Sequence, residues 1–152
     1  MSTAPAFPPP GTIRSKLVNA AVNINVALYR RSGGRLGGKV KGAPVLLLDH
    51  VGRKSGVKRT TALLYLVDGD RLVIVASRGG SDAMPAWWLN LQANGSTTVQ
   101  VGRERRSVLA RQATLEEKSE LWPRLVEMYS DYAVYQTRTT REIPVIILSP
   151  VS

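Results

Sequence analysis

Apolar residues recur at helical spacing between Ile13 and Arg31, at Ile13, Leu17, Ala20, Ala21, Ile24 and Leu28, with Arg14, Lys16, Asn19 and Asn23 elsewhere on the cylinder. The pattern predicts an amphipathic helix with basic ends, either packed on a core or lying against an anionic membrane surface. Gly33, Gly34, Gly37 and Gly38 follow as a flexible link. From there the period shortens. Pro44 to His50, Ala62 to Asp68 and Arg71 to Ser77 read as strands, the last two joined by the turn Asp68-Gly69-Asp70. Thr97 to Arg103 alternates polar and apolar positions, Arg105 to Ala113 follows the turn at Gly102, and Glu142 to Ser149 supplies a sixth strand.

Two helical segments interrupt the strands. Pro85 suits a first helical position and Asn94-Gly95 a stop, so Ala86 to Ala93 reads as a short helix. Thr114 and Glu117 form a capping-box pattern that opens a second helical region, expected to break at Pro123 before Tyr135. Most links between strands are too short for a parallel crossover. An α+β chain results, with about six mainly antiparallel strands in a sheet that curls on itself as a small barrel. Residues 1–12, rich in proline and small side chains, read as a disordered tail, 13–35 as the helix and its link, and 36–152 as one domain.

Composition narrows the chemistry. With 152 residues and 43% apolar side chains the chain can bury one compact core. Its unbroken apolar runs, such as Val45 to Leu48, are far short of a membrane span. The N-terminus lacks the pattern of a secretory signal, which predicts a cytoplasmic protein. There is no cysteine and one histidine, His50, so thiolate chemistry and a histidine or cysteine metal cluster are not expected. Redox chemistry would require a bound cofactor.

Charge is distributed unevenly. Residues 1–60 hold eleven of the 21 Lys and Arg against one acid, Asp49, which accounts for the whole formal charge of +10, whereas residues 61–152 balance. The basic part closes on Gly52-Arg53-Lys54-Ser55-Gly56-Val57-Lys58-Arg59, with four cations beside two glycines and a hydroxyl. It reads either as a solvated basic hairpin or as a polyanion site, with turn amides joining the cations. It is not a phosphate loop of the Gly-x-x-x-x-Gly-Lys-Ser kind. Val75-Ala76-Ser77-Arg78-Gly79-Gly80 places a hydroxyl, a cation and two glycines at another strand end, where another group can approach the backbone closely. Trp87 and Trp88 are adjacent on a short helix, so one is expected inside and the other in a cleft or on a ring. Tyr129, Tyr132 and Tyr135 recur every three residues and would line one helical side.

Gly52 to Gly56, Arg59 to Tyr65, Val75 to Gly80, Pro85 to Leu91 and the tyrosine segment, in this order, resemble the deazaflavin (F420)-dependent nitroreductase family. The resemblance runs from about Leu36 to Pro150 and implies a split β-barrel like those that bind FMN. It also implies an enzyme that passes a hydride from reduced coenzyme F420, an anionic deazaflavin, to a quinone of menaquinone type or to a nitroaromatic. Arg53, Lys54, Ser55 and Arg59 match positions that hold the coenzyme's phosphate and tail, and Thr60, Thr61, Ala62, Leu63 and Leu64 match a strand beside the ring. Val75, Ala76, Ser77 and Arg78, with Ala86, Trp87, Trp88, Leu89 and Asn90, match the rest of the pocket. Tyr132 matches a residue near ring and substrate, and Leu64, Tyr129 and Tyr135 the substrate side. Ser77 and Tyr132 are the candidates for hydrogen-bonding the acceptor. Family members commonly carry proline where Ala62 stands, and some present a phenol where Leu64 stands. A quinone acceptor would give the basic N-terminal helix a use as a peripheral membrane anchor. The alternatives are a split barrel loaded with FMN or haem, and a basic nucleic-acid module. The latter is disfavoured by 6% aromatic residues and no strand that interleaves them with cations.

Overall fold

The computed structural model of the protein describes residues 26–151, so the expected tail, most of the expected N-terminal helix and Ser152 lie outside the described residues. Residues 26–32 form helix α1. Its inward residue is Tyr29, 2% exposed, and not the expected Leu28, which is 41% exposed. Tyr29 packs on Val45 and Leu47, its hydroxyl donates to the Gln100 carbonyl at 3.3 Å, and it accepts from the Gly102 N–H at 2.8 Å. A phenol satisfies those buried backbone groups where a leucine could not.

Among the described residues the chain then runs β1 (Lys39–Val40), β2 (Ala43–Val51), β3 (Lys58–Leu64), β4 (Leu66–Asp68), β5 (Arg71–Val75), α2 (Ala86–Ala93), β6 (Ser96–Val101), β7 (Glu104–Gln112), α3 (Leu115–Met128), α4 (Asp131–Thr137) and β8 (Val145–Pro150). The sheet order is β1-β2-β6-β7-β8-β5-β4, with β3 paired to β2 and every pairing antiparallel. The expected strand from Ala62 to Asp68 is in fact two. β3 ends at Leu64 on β2, Tyr65 donates its N–H to the Pro44 carbonyl, and β4 pairs with β5 at the far end of the sheet. One stretch of chain therefore joins the two sheet margins, and the sheet curls into a split barrel. β1 is a second addition to the expected six. Lys41 and Gly42 both have positive φ, 49° and 83°, which gives the two-residue hairpin that folds β1 onto β2.

Strand alternation builds two larger cores beside the Tyr29 cluster. Leu46, Leu48, Leu72, Ile74, Ile146 and Leu148 turn one way, into an interior shared with Trp87, Trp88 and Leu91 of α2. Val73, Val75, Val145 and Ile147 turn the other way, against Leu121 and Leu125 of α3 and the three tyrosines. Trp87 and Trp88 are both buried, 5% and 3% exposed, and meet edge to face at 6.4 Å, so neither is left in an open cleft. A helix that is apolar on several sides is enclosed on several sides.

The capping box at Thr114 and Glu117 forms as expected, with both reciprocal hydrogen bonds. The expected break at Pro123 does not occur, and α3 runs on to Met128. Leu121 and Leu125, buried one turn apart on either side of the proline, anchor both halves of the helix to the sheet. The chain turns at Tyr129 and Ser130 instead, so Tyr129 closes α3 while Tyr132 and Tyr135 lie on α4. No described helix is long and apolar enough to cross a membrane.

The strand-end glycines allow a close approach, and what approaches is the chain's own α4. Gly80 has φ +82°, and a Cβ there would stand 2.7 Å from the Tyr135 carbonyl and 2.9 Å from the Arg138 Cβ. Gly80→Ala is expected to cost about 1–3 kcal/mol through strain and displacement of α4. Urea unfolding checks this, and a variant as stable as the parent contradicts the packing described.

Candidate functional site

The basic segment is a tight turn that leads directly into a strand. Gly52 donates its N–H to Val57 and Gly56 donates to Gly52, at 2.9 and 2.8 Å. Val57 N–H goes to the Ser55 hydroxyl, and Arg53 N–H to the Asn90 side-chain oxygen at 3.1 Å. These four amides are spent on holding the turn, so its cations, not those amides, face a ligand. Lys58 and Arg59 stand on β3 and not in the loop. Arg53, Lys54, Ser55 and Arg59 border a groove of about 310 Å³ with Gly52, Ala86 and Asn90. No acid is among these lining residues, so an anionic group fits it.

Asn90 ties this groove to the barrel. It is 4% exposed, and its side-chain oxygen accepts both from the Arg53 N–H and from the Arg53 guanidinium at 3.3 Å. Its amide nitrogen lies 2.9 Å from Nδ1 of His50, whose Nε2 lies 2.8 Å from the Thr61 hydroxyl. His50 is 5% exposed, and burial, reinforced by Arg59 and opposed by Asp49, lowers its pKa below the ordinary 6.5. Sequence reading placed Asn90 and Thr61 in the site and missed His50. A lone histidine in an apolar strand carries no local signal of its partners.

A second groove, of about 450 Å³, lies on the other side of β3 between Arg30, Asp49, His50, Lys58, Arg59, Thr60, Thr97 and Arg105. Asp49 takes Arg30 at 2.7 Å, Arg105 at 2.8 Å and the Thr60 hydroxyl at 2.7 Å. Thr60 thus faces α1, as do Ala62 and Leu64, which pack on the Tyr29 cluster, whereas Thr61 and Leu63 face α2 and the barrel interior. The five residues expected beside one ring are divided by strand alternation.

The strand end after β5 is organised by Arg141, a residue without a signal in the sequence. Its guanidinium donates to the carbonyls of Ala76, Ser77 and Ser81 at 3.2, 2.9 and 2.9 Å. Ser77 is 7% exposed, and Arg78 has φ 46°, a conformation uncommon outside glycine. Arg138, just past the end of α4, donates to the Gly79 carbonyl at 3.3 Å, which joins this strand end to the tyrosine segment. Tyr129, Tyr132 and Tyr135 form one buried cluster with ring centroids 5.0 to 6.2 Å apart, and Leu64 and Val75 belong to or pack on it. The Tyr129 and Tyr135 hydroxyls are 3.1 Å apart. Burial raises the pKa of Tyr129, with the Tyr135 hydrogen bond next in weight, and burial likewise raises that of Tyr132. Asp131 beside them is held ionised by Lys41 at 2.7 Å.

Apart from Thr60, Thr61 and Ala62, placed above, the expected residues fall into three places. Arg53, Lys54, Ser55, Arg59, Ala86 and Asn90 surround the acid-free groove. Leu64, Val75, Tyr129, Tyr132 and Tyr135 meet at the tyrosine cluster, to which Ser77 and Arg78 connect through the strand end. Leu63, Ala76, Trp87 and Trp88 lie in the barrel interior, and Leu89 is half-buried beside them on α2.

Comparison with known proteins identifies the family. The family model of the F420H(2)-dependent quinone reductases matches residues 21–150. A Mycobacterium tuberculosis protein provisionally named an F420H(2)-dependent quinone reductase is 45% identical over 117 residues, 76% of this chain and 98% of its own length. A second from that species, named an F420H(2)-dependent quinone reductase, is 40% identical over 132 residues, covering 84% and 89%. A solved F420-H2 dependent reductase superposes with TM-score 0.64 at 38% identity, covering 70% of this chain and 94% of that one. The haem storage protein HutZ of Vibrio cholerae shares the split-barrel fold alone, with TM-score 0.54 at 9% identity over 86% and 91% of the two chains. The chain belongs to the F420H(2)-dependent quinone reductase family, oxidoreductases whose cofactor is reduced coenzyme F420.

Proposed function

We propose that this enzyme reduces a quinone of menaquinone type, with nitroaromatics as incidental acceptors, and that its coenzyme lies along β3. The observation that carries the reading is the course of that strand. In seven residues, about 20 Å at the usual rise, it runs from the cations of the acid-free groove to Leu64 at the tyrosine cluster. An elongated ligand with an anionic end and a flat apolar end is matched by that sequence of environments.

Arg53, Lys54, Ser55 and Arg59 hold the phosphate and tail, with the Arg53 guanidinium fixed by Asn90. Thr60 to Leu64, Val75 to Arg78 and Ala86 to Asn90 form the rest of the coenzyme site. Within it, Ala86 and Asn90 line the groove, while Ala76, Trp87 and Trp88 act from behind as its rigid support. When bound, the reduced coenzyme supplies a hydride, and the protein's task is alignment and charge stabilisation. Leu64, Tyr129 and Tyr135 form the wall that excludes water from the acceptor. Ser77 and Tyr132 donate hydrogen bonds to the acceptor oxygen as it gains charge. Because burial raises its pKa, Tyr132 keeps its proton at neutral pH and serves as donor, not base.

The apolar acceptor also gives meaning to an exposed surface near the N-terminus. Leu28, Leu36 and Val40 are 41, 55 and 45% exposed, interspersed with exposed Arg31, Arg35 and Lys39. Such a mixture suits peripheral contact with an anionic bilayer.

Steady-state assay with reduced coenzyme F420 and a soluble menaquinone analogue tests the activity. Tyr132→Phe is expected to lower turnover about ten- to hundredfold while coenzyme affinity stays within about twofold of the parent. Equal loss of both would contradict the role given to the hydroxyl. Leu36→Gln with Val40→Gln is expected to weaken binding to vesicles containing phosphatidylglycerol about tenfold, and unchanged binding removes the membrane surface from the account.

A further inference from the structure

His50 lies outside the groove that receives the coenzyme's anionic end, yet the orientation of that groove's main cation depends on it. Two donors of Arg53, its N–H and its guanidinium, converge on one oxygen of Asn90. Both acceptor positions of that amide oxygen are thereby used. The amide therefore has one workable orientation, with its NH2 group toward His50 Nδ1. Nδ1 must then be an unprotonated acceptor. The ring proton is left on Nε2, where the Thr61 hydroxyl receives it at 2.8 Å.

From this chain of donors and acceptors we infer that His50, as the neutral Nε2–H tautomer, is a positioning residue for the anion site. It holds Asn90 and, through Asn90, the backbone and guanidinium of Arg53. The inference rests on the coenzyme reading above. Adding a proton to Nδ1 would set two donors face to face. Rotating the Asn90 amide to relieve that clash would set its NH2 against both Arg53 donors. Either Asn90 is pushed off the ring that holds it or Arg53 loses its acceptor, and an unpaired buried donor is costly.

The surroundings favour the neutral ring. Arg59 is its cross-strand partner on β3, Arg53 stands beyond Asn90, and Lys58 shares the second groove. Asp49, the nearby acid on its own strand, is already engaged by Arg30 of α1 and Arg105 of β7. Burial and the Arg59 charge act together on the imidazole. The sign of the acid response separates this role from that of a bystander. A histidine merely near the coenzyme phosphate would gain charge on acidification and tighten binding, whereas a histidine that orients Asn90 loosens it.

The test uses the untagged full chain, in which His50 is the single histidine, so its imidazole signals are unambiguous. Imidazole nitrogen NMR at neutral pH should show the Nε2–H tautomer, and the Nδ1–H tautomer overturns the inference at once. Fluorescence titration with coenzyme F420 then gives its dissociation constant. His50→Asn keeps an acceptor toward Asn90 without a titrating ring and should bind within about threefold of the parent. His50→Leu lacks the acceptor and should bind about tenfold more weakly, with an unchanged circular dichroism spectrum. Two variants that both match the parent, or that lose affinity equally, contradict the role. In the parent, binding should weaken as the NMR signal reports His50 charging, and binding that tightens in step with it is contrary evidence. Absence of coenzyme binding by the parent at neutral pH would instead strike at the coenzyme reading itself.

Discussion

The register between β2 and β3, with Val45 opposite Leu64 and Val51 opposite Lys58, decides which side chains can reach a ligand. Side chains alternate across a strand, so a slip of one residue would exchange the faces of all seven β3 positions. In the observed register Thr61 meets His50 and Leu63 enters the interior, while Thr60, Ala62 and Leu64 look toward α1 and the Tyr29 cluster. The same pairing sets Arg59 beside the turn that carries Arg53 and Lys54. A strand held this way presents cations at one end and an apolar wall at the other.

Rigidity around that strand comes from polar groups that are nearly all spent. The turn amides are used internally, the Asn90 oxygen takes two Arg53 donors while its amide nitrogen meets His50, and Arg141 gathers three carbonyls beyond the end of β5. Asp49 is enclosed by two arginines and a threonine. The excess charge of the N-terminal half is therefore arranged in part as structure. Among the described residues, Arg53, Lys54 and Arg59 border a groove with no acid in its lining, and the proposed coenzyme site draws on these cations. On that proposal a strongly cationic segment is both a folded margin of the barrel and an anion site.

The period of the strands, the capping box and the antiparallel barrel were legible in the sequence because each is a local pattern with a local cause. The family motifs likewise carried the coenzyme class. Pro123 misled because a proline's local cost is outweighed here by Leu121 and Leu125 packing on either side of it. The split of one apolar run at Tyr65 could not be read, since Tyr65 is as compatible with a strand as its neighbours are. Only the two margins of the curled sheet decide where pairing changes. Helix geometry predicts opposite environments for Trp87 and Trp88, yet the interior surrounds both. His50 and Arg141 were missed for one reason. Their partners are 11 and 40 residues away for His50 and about 60 for Arg141, and no spacing rule reaches that far.

The most direct measurement is a fluorescence titration of coenzyme F420 against the parent protein and an Arg53→Gln, Arg59→Gln double variant, at low salt and at about 0.5 M salt, where screening is strong. The account predicts saturable binding by the parent, weakened about tenfold or more by the double substitution and further weakened by salt. Binding that is indifferent to both the substitutions and the salt would contradict the claim that these cations hold the coenzyme.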